Sequence, residues 1–328
     1  MRRGRTLAIT GAGGFLGRRI VAAAREAGHD VIAIVRQPVD LPGAEVRIAD
    51  LAADLPPGLM DGADAVIHAA AGAGDDAAHA RDTVGATRAV LAALPLGVRL
   101  VLVSSFSVYA VAALPDSTTL DETTPTEPEA AGRDAYTRAK LAQERLAIVA
   151  AQTGGLDVWI ARPGAIYGPG RDWSARLGWQ VGGRVAVPGG DVPVPAVHVD
   201  HAARALVAAA TVPEGGWPDD VPILEAGGHV RVVNLVDPDP PTQRDWLAAT
   251  NRRRVTTLPR RPLMKLAALL DLACDVVPAL DRVRPRILSE GALAARFKPL
   301  RYATARAEDR LDHRPEASFA DGVAADRA

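Results

Sequence analysis

The segment Thr6-Leu7-Ala8-Ile9-Thr10 reads as a short β-strand. It runs without a spacer into Gly11-Ala12-Gly13-Gly14-Phe15-Leu16-Gly17 and then into an alanine-rich helical stretch that closes at Ala27-Gly28. That junction constrains the chain more than any other feature. A strand that turns straight into a helix needs a permissive residue at the corner, and Gly11 supplies it. Gly17 lets the helix pack closely on the strand it has just left, and Gly28 is a common C-terminal stop.

The same alternation continues. Candidate strands are Thr6–Thr10, Val31–Val35, Glu45–Ile48, Ala65–His68, Arg99–Val103 and Asp157–Ala161, separated by helical segments near Gly14–Ala27, Asp75–Leu94 and Arg133–Thr153. Short apolar strands alternating with helices describe an α/β chain with a doubly wound parallel sheet. The polar stretch Pro115–Arg133 has no periodicity and reads as a surface loop. Gly, Pro and Trp cluster from Trp173 to Pro195; Asp200–Ala210 is then helical, Val230–Val236 is a strand, and shorter helices follow Pro240. At 328 residues the chain holds two domains, or one large α/β domain with an added lobe. The division predicted is 1–171 with 197–236 for the sheet domain, and 172–196 with 237–328 for a smaller C-terminal lobe.

Composition narrows the classes. Hydrophobic residues are 48%, and 38 basic residues against 39 acidic ones leave a net charge of −1, which excludes disorder and gives no basic surplus for nucleic acid. The arginine groups Arg252–Arg254 and Arg260-Arg261 read as a solvated face. Charged residues interrupt every apolar stretch, so no membrane partner is expected, and the basic start at Arg2-Arg3 leads into a strand rather than a signal sequence. With a single cysteine, Cys274, no internal disulfide can form, and a cytoplasmic location is the expectation.

The glycine-rich junction implies a dinucleotide site. Gly14 admits the backbone to a pyrophosphate, and the helix start offers free N–H groups and the positive end of a dipole. The spacing is Gly-x-x-Gly-x-x-Gly. At the end of the second strand, where an acid would bind the ribose hydroxyl of NAD(H), stands Arg36. A guanidinium there suits a 2′-phosphate and points to NADP(H), with NAD(H) possible; a solvated arginine stacked on adenine is the competing reading. Asp50-Leu51 follow the third strand and could meet the adenine edge, or Asp50 could simply cap a helix.

Tyr136 and Lys140 stand four apart on a helix, so phenol and ammonium share one face. With four tyrosines and three lysines in the chain, coincidence explains this pair poorly. A nearby ammonium favours phenolate, which would bring the Tyr136 pKa down toward working pH and let it exchange a proton with a substrate oxygen. The fifth strand ends at Ser104-Ser105, where open parallel sheets bind ligands, so Ser105 could hold the same oxygen or merely cap a turn. His198-Val199-Asp200-His201 reads as the start of a helix capped by Asp200 rather than as a metal site.

These segments together carry a resemblance. Thr10–Gly17, Ser104-Ser105-Phe106-Ser107-Val108-Tyr109, Tyr136–Lys140, Arg162-Pro163-Gly164-Ala165-Ile166-Tyr167-Gly168-Pro169-Gly170 and His198-Val199-Asp200, in that order, resemble the extended short-chain dehydrogenase/reductases, the NAD-dependent epimerase/dehydratase family. The tail from Ala305 to Leu311 and on to Arg314-Pro315 is similar to that family's closing helix. The resemblance implies a Rossmann-type sheet of seven parallel strands, the last near Val232–Val236, and a homodimer. It also implies catalytic roles for Ser105, Tyr136 and Lys140, with Pro163 beside the nicotinamide. The expected cofactor contacts are Thr10, Gly11, Gly13, Gly14, Phe15, Leu16 and Gly17 on the first turn, then Arg36, Asp50, Leu51, Ala69, Ala70 and Ala71, with Tyr136, Lys140 and Pro163 at the reactive end.

Departures from the family pattern bear on the substrate. Sugar-nucleotide branches often carry an Asn where Ala165 stands and an Arg-Asp pair where Val194-Pro195 stands. Losing two charge-assisted phosphate contacts costs about 1.5 to 3 kcal/mol each. Thr83 and Ala86 likewise replace a common Asn and Gly. The expectation is therefore an NADP(H)-dependent carbonyl reductase or hydroxy-dehydrogenase acting on a small, mostly apolar molecule. The alternative is a nucleotide-sugar epimerase or dehydratase with retained NAD, and a third reading is a dinucleotide sensor without chemistry.

Overall fold

A computed structural model describes residues 4–128, 132–213, 230–252, 254–277, 288–315 and 318–326. Its centre is a sheet of seven strands: β1 (Thr6–Thr10), β2 (Asp30–Val35), β3 (Glu45–Ile48), β4 (Ala65–His68), β5 (Arg99–Val103), β7 (Val158–Pro163) and β12 (Val230–Leu235). They lie in the order β12-β7-β5-β4-β1-β2-β3, and every pairing is parallel. Strand order reverses at β1, so the carboxyl ends of β1 and β4 flank a crevice, the usual ligand position of such sheets.

The interior strands are apolar throughout because both faces are covered. Along β1, Leu7 and Ile9 point into one core and Ala8 into the other, the period-two alternation of a strand. The first core is closed by α1 (Phe15–Glu26), which buries Ile20, Val21, Ala23 and Ala24, and by α5 (Val199–Thr211), whose alanines allow close approach. The second is closed by α3 (Ala86–Ala93) through Val90 and by α4 (Ala135–Gly154) through Ala147 and Ala151. Beside the sheet, β8 (Ala165–Tyr167) pairs with β11 (Ala196–His198), and β9 (Trp179–Val181), β10 (Arg184–Pro188) and β13 (Val255–Leu258) form a three-stranded sheet. Next to it an aromatic knot joins Tyr167, Trp246 of α6 (Gln243–Ala249) and Phe319.

Four local expectations change. The segment Pro115–Arg133 is more than a surface loop: β6 (Thr119–Leu120) pairs with β14 (Arg301–Tyr302), and Leu120, Glu122 and Arg133 are buried. Polar residues could hide there because each finds a partner, Glu122 accepting from Asn234 N–H and Arg133 pairing with Glu127. The helix expected over 75–94 is broken by a π-helical turn at Ala80–Gly85 between α2 (Asp76–His79) and α3. At the start of α5 the capping acceptor is His198 Nδ1, which receives the N–H of Asp200, so Asp200 lies inside the helix rather than at its cap. Beyond Pro240, α7 (Arg260–Val276) runs 17 residues because Pro262 falls in its first turn, where no N–H is needed.

Candidate active site

The glycine-rich turn forms as its sequence demands. Gly11 has φ +68°, and a Cβ there would meet the Ala70 backbone at 2.9 Å; a Cβ on Gly17 would come within 2.1 Å of the Gly11 carbonyl. Gly14 is the N-cap of α1, which has neither a side-chain cap nor an acid in its first turn, so its leading N–H groups face outward. Gly11, Gly13 and Gly14 line one side of a cavity of about 720 Å³ with Arg36, Asp50, Leu51 and Ala69–Ala71, while Phe15, Leu16 and Gly17 at the helix start face the adjoining cavity. This bare backbone cradle fits a dinucleotide, whose pyrophosphate would lie on Gly13 and Gly14. Arg36 is exposed at the cavity and makes no hydrogen bond or ion pair among the described residues. Asp50 spends its carboxylate on the Ala52 N–H at 3.0 Å, so it caps a turn and lines the cavity as well.

A second cavity of about 710 Å³ shares Gly11, Gly14, Ala69 and Ala71 with the first and holds Phe15, Leu16, Gly17, Ser105, Tyr136, Lys140 and Pro163. Thr10 lies behind both, fully buried, with its hydroxyl on His68. Ser105 does cap a turn, its Oγ accepting from Ser107 N–H at 3.2 Å, and it lines the same cavity as Tyr136. Tyr136 keeps 40% of its surface open to the cavity, while Lys140 is buried.

The expected depression of the Tyr136 pKa is absent. Surrounding groups desolvate the phenol and push it up, with Ser105 and then Arg171 opposing the shift. The reason is geometric: Lys140 Nζ lies 5.8 Å from the ring centroid and gives its protons to the Val103 carbonyl and to Gln143. Burial in turn brings Lys140 down to about 8, against a smaller upward pull from Glu144.

Four arginines unmarked by the sequence motifs share this cavity: Arg133, Arg171, Arg176 and Arg296. Arg133 pairs with Glu127, and Arg296 with Asp134 at 2.9 Å. Arg171 lies over the Phe15 ring, and Arg176 donates to the Ala295 carbonyl; neither has a carboxylate partner among the described residues. Desolvation, with Arg296 and Arg133 nearby, lowers the Arg176 pKa, the mark of a cation short of counter-charge. Of the departures noted in the sequence, Ala165 does line the cavity, whereas Val194 is buried in the core of the smaller sheet.

Comparison with known proteins adds the family. The model of the "NAD dependent epimerase/dehydratase family" matches residues 7–223. Among solved structures the chain is similar to MoeE5 in complex with UDP-glucuronic acid and NAD, at TM-score 0.69 and 22% identity over 97% of this chain and 96% of that one. It is also similar to UDP-glucuronic acid 4-epimerase from Bacillus cereus in complex with NAD, at TM-score 0.66 and 17% identity over 97% and 96%. The UDP-N-acetylglucosamine 4-epimerase of the same organism gives TM-score 0.65 and 16% identity over 98% of both chains. A search of curated protein sequences gives no match.

Proposed function

The chain belongs to the NAD-dependent epimerase/dehydratase family, and from that premise we propose that it oxidises a hydroxyl-bearing carbon of a nucleotide-linked sugar and re-reduces it on the same enzyme. The observation that carries this reading is the pair Arg171 and Arg176, guanidinium groups without carboxylate partners among the described residues, in the cavity that also holds Ser105, Tyr136 and Lys140. A permanently charged fork beside a reactive site suits phosphate or carboxylate, which it can bind bidentately. The absence of the usual polar residues at Ala165 and Val194-Pro195 weighed against such a substrate. Arg171 and Arg176 bring the positive charge from a neighbouring loop instead.

Ser105 holds the substrate oxygen, and Tyr136 takes the hydroxyl proton as the carbon is oxidised and returns it on reduction. Lys140 stabilises the phenolate that forms in between. A nicotinamide, when bound against Pro163, supplies the acceptor and donor of hydride. The adenosine half of that cofactor would occupy the cavity at Gly13, Arg36, Asp50 and Ala70.

A second reading, an NADP(H)-dependent carbonyl reductase on a small apolar molecule, draws on Arg36, which lies unpaired at the adenosine cavity. One experiment separates the two. Freshly purified protein is denatured and its released nucleotide identified by mass spectrometry, and turnover of a UDP-sugar is followed for net cofactor change. Stoichiometric NAD with no net consumption is the expected result. Empty or NADP-loaded protein that consumes NADPH with a carbonyl substrate would replace this proposal with the reductase.

A further inference from the structure

A buried polar chain runs from the ammonium of Lys140 back to the glycine-rich turn, and the direction of each bond follows from its neighbours. Lys140 Nζ, a donor only, gives hydrogen bonds to the Val103 carbonyl at 2.8 Å and to Gln143 Oε1 at 2.9 Å. The Gln143 amide must therefore turn Nε2 the other way, where it donates to Thr87 Oγ1 at 2.5 Å. Thr87 sends its own proton to the Thr83 carbonyl at 2.7 Å, so its oxygen can only accept. His68, 3.0 Å away through Nε2, must carry its proton on that nitrogen. Its Nδ1 is then an acceptor, filled by the Thr10 hydroxyl at 2.7 Å, and Thr10 Oγ1 accepts in turn from the Ala70 N–H at 3.3 Å.

Thr10, His68, Thr87 and Gln143 are fully buried and Lys140 nearly so. Reversing one bond would leave a buried donor facing a donor, with the desolvation of each unsatisfied group uncompensated. The chain thus has one self-consistent polarity, and its last free choice, which end of the Gln143 amide meets the ammonium, is already made. The π-helical turn matters here, because it precedes α3 and carries the Thr83 carbonyl that takes the Thr87 proton.

We infer that Gln143 is a positioning residue for Lys140: with the Val103 carbonyl it occupies two ammonium protons and leaves the third for the groove beside Tyr136. The inference rests on the reading of Lys140 as a catalytic residue. The other titratable groups facing Lys140 are few. Glu144, next on the same helix, is held by Arg162 and Ser104; Tyr136 lies one turn earlier; His68, on β4, is kept neutral with a pKa of about 3 by burial and then by Lys140 itself.

The test needs no substrate, so its outcome is separate from that of the proposed reaction. The chain has three lysines, Lys140, Lys265 and Lys298. Full-length protein labelled at the lysine ε-carbon gives three titrating NMR signals, assigned with Lys265→Arg and Lys298→Arg. Gln143→Leu removes an acceptor from the charged form and should lower the Lys140 midpoint by about one pH unit, the equivalent of one charge-assisted bond. Gln143→Glu adds a negative charge at the same place and should raise it. Thr87→Ser, which keeps the hydroxyl, should leave it where it is. A midpoint that stays fixed in both Gln143 variants, or moves the same way in both, overturns the assignment. If Gln143→Leu does not fold, Gln143→Glu decides alone, and the absence of a rise overturns it.

Discussion

The two cavities along the crest of the sheet are nearly equal in volume and share glycine and alanine residues, yet they are built by opposite means. The first is lined by the glycine turn, by Ala69–Ala71 and by apolar side chains of the second and third strand ends such as Val35, Val39 and Leu51, with Arg36 exposed at its edge. The second is crowded with ionisable side chains from distant segments, among them Tyr136, Lys140, Arg171, Arg176 and Arg296. A backbone cradle selects by shape and by N–H direction, which are the same for every nicotinamide dinucleotide. A cavity of side chains selects by charge, and its charge here is positive. On the proposed function, cofactor binding would fall mostly in the part of the molecule fixed by local geometry and substrate choice in the part fixed by tertiary assembly.

The comparison would break first at Tyr136. If the second cavity is where the chemistry happens, Tyr136→Phe removes the proton carrier and should lower kcat by about 10²- to 10⁴-fold, the range of general acid–base catalysis. Binding of NAD(H) should change little, because the first cavity is untouched. Titration of cofactor fluorescence beside steady-state turnover of a UDP-sugar checks both halves. Turnover within a few-fold of wild type would remove Tyr136 from the mechanism.

Arg176→Ala is expected to act less strongly and differently. If Arg176 meets substrate charge as proposed, the contact is worth about 1.5 to 3 kcal/mol, so KM for a UDP-sugar that the wild type turns over should rise about 10- to 150-fold while kcat stays within a few-fold. An unchanged KM would return weight to an uncharged substrate.

The same contrast explains what could be read from the residues in order. The glycine turn was legible because strand, turn and α1 are contiguous, Arg36 and Asp50 because they close the next two strands, and Ala69–Ala71 only through the family resemblance; all of them line the first cavity. The sheet strands were legible because apolar runs covered on both faces carry a strong local signal. That Tyr136 and Lys140 share a helix face and one cavity was legible through helical spacing alone. Arg171 and Arg176 were not, since nothing local distinguishes them from the solvated arginines, and only the packing of Trp173–Leu177 against the helix Glu290–Phe297 brings them to Tyr136. The direction of the Tyr136 shift was misread for a related reason. Spacing puts Lys140 on the right face but cannot say that two of its three protons are already taken by Val103 and Gln143.

Arg36 gives the smallest expected effect and the sharpest comparison with Arg176. Neither makes an ion pair with a carboxylate among the described residues, though, behind Arg81, Arg36 lies near enough to Asp82 to help lower its pKa. Arg36 is exposed where Arg176 is half-buried, so solvent and salt screen it more. If it pairs with a 2′-phosphate, Arg36→Ala should weaken NADP(H) by about 1.5 kcal/mol, roughly tenfold, at the low end for a charged hydrogen bond. NAD(H), with a hydroxyl in place of the phosphate, should bind as before. The loss at Arg36 should shrink as salt is raised through the range where the Debye length falls from about 10 to 3 Å, whereas the loss at Arg176 should persist. Dissociation constants for both cofactors on wild type and variant, at low and high salt, read this directly. An equal loss for both cofactors would mean that Arg36 stacks on adenine, and a wild-type preference for NAD(H) would leave the first cavity selecting by shape alone.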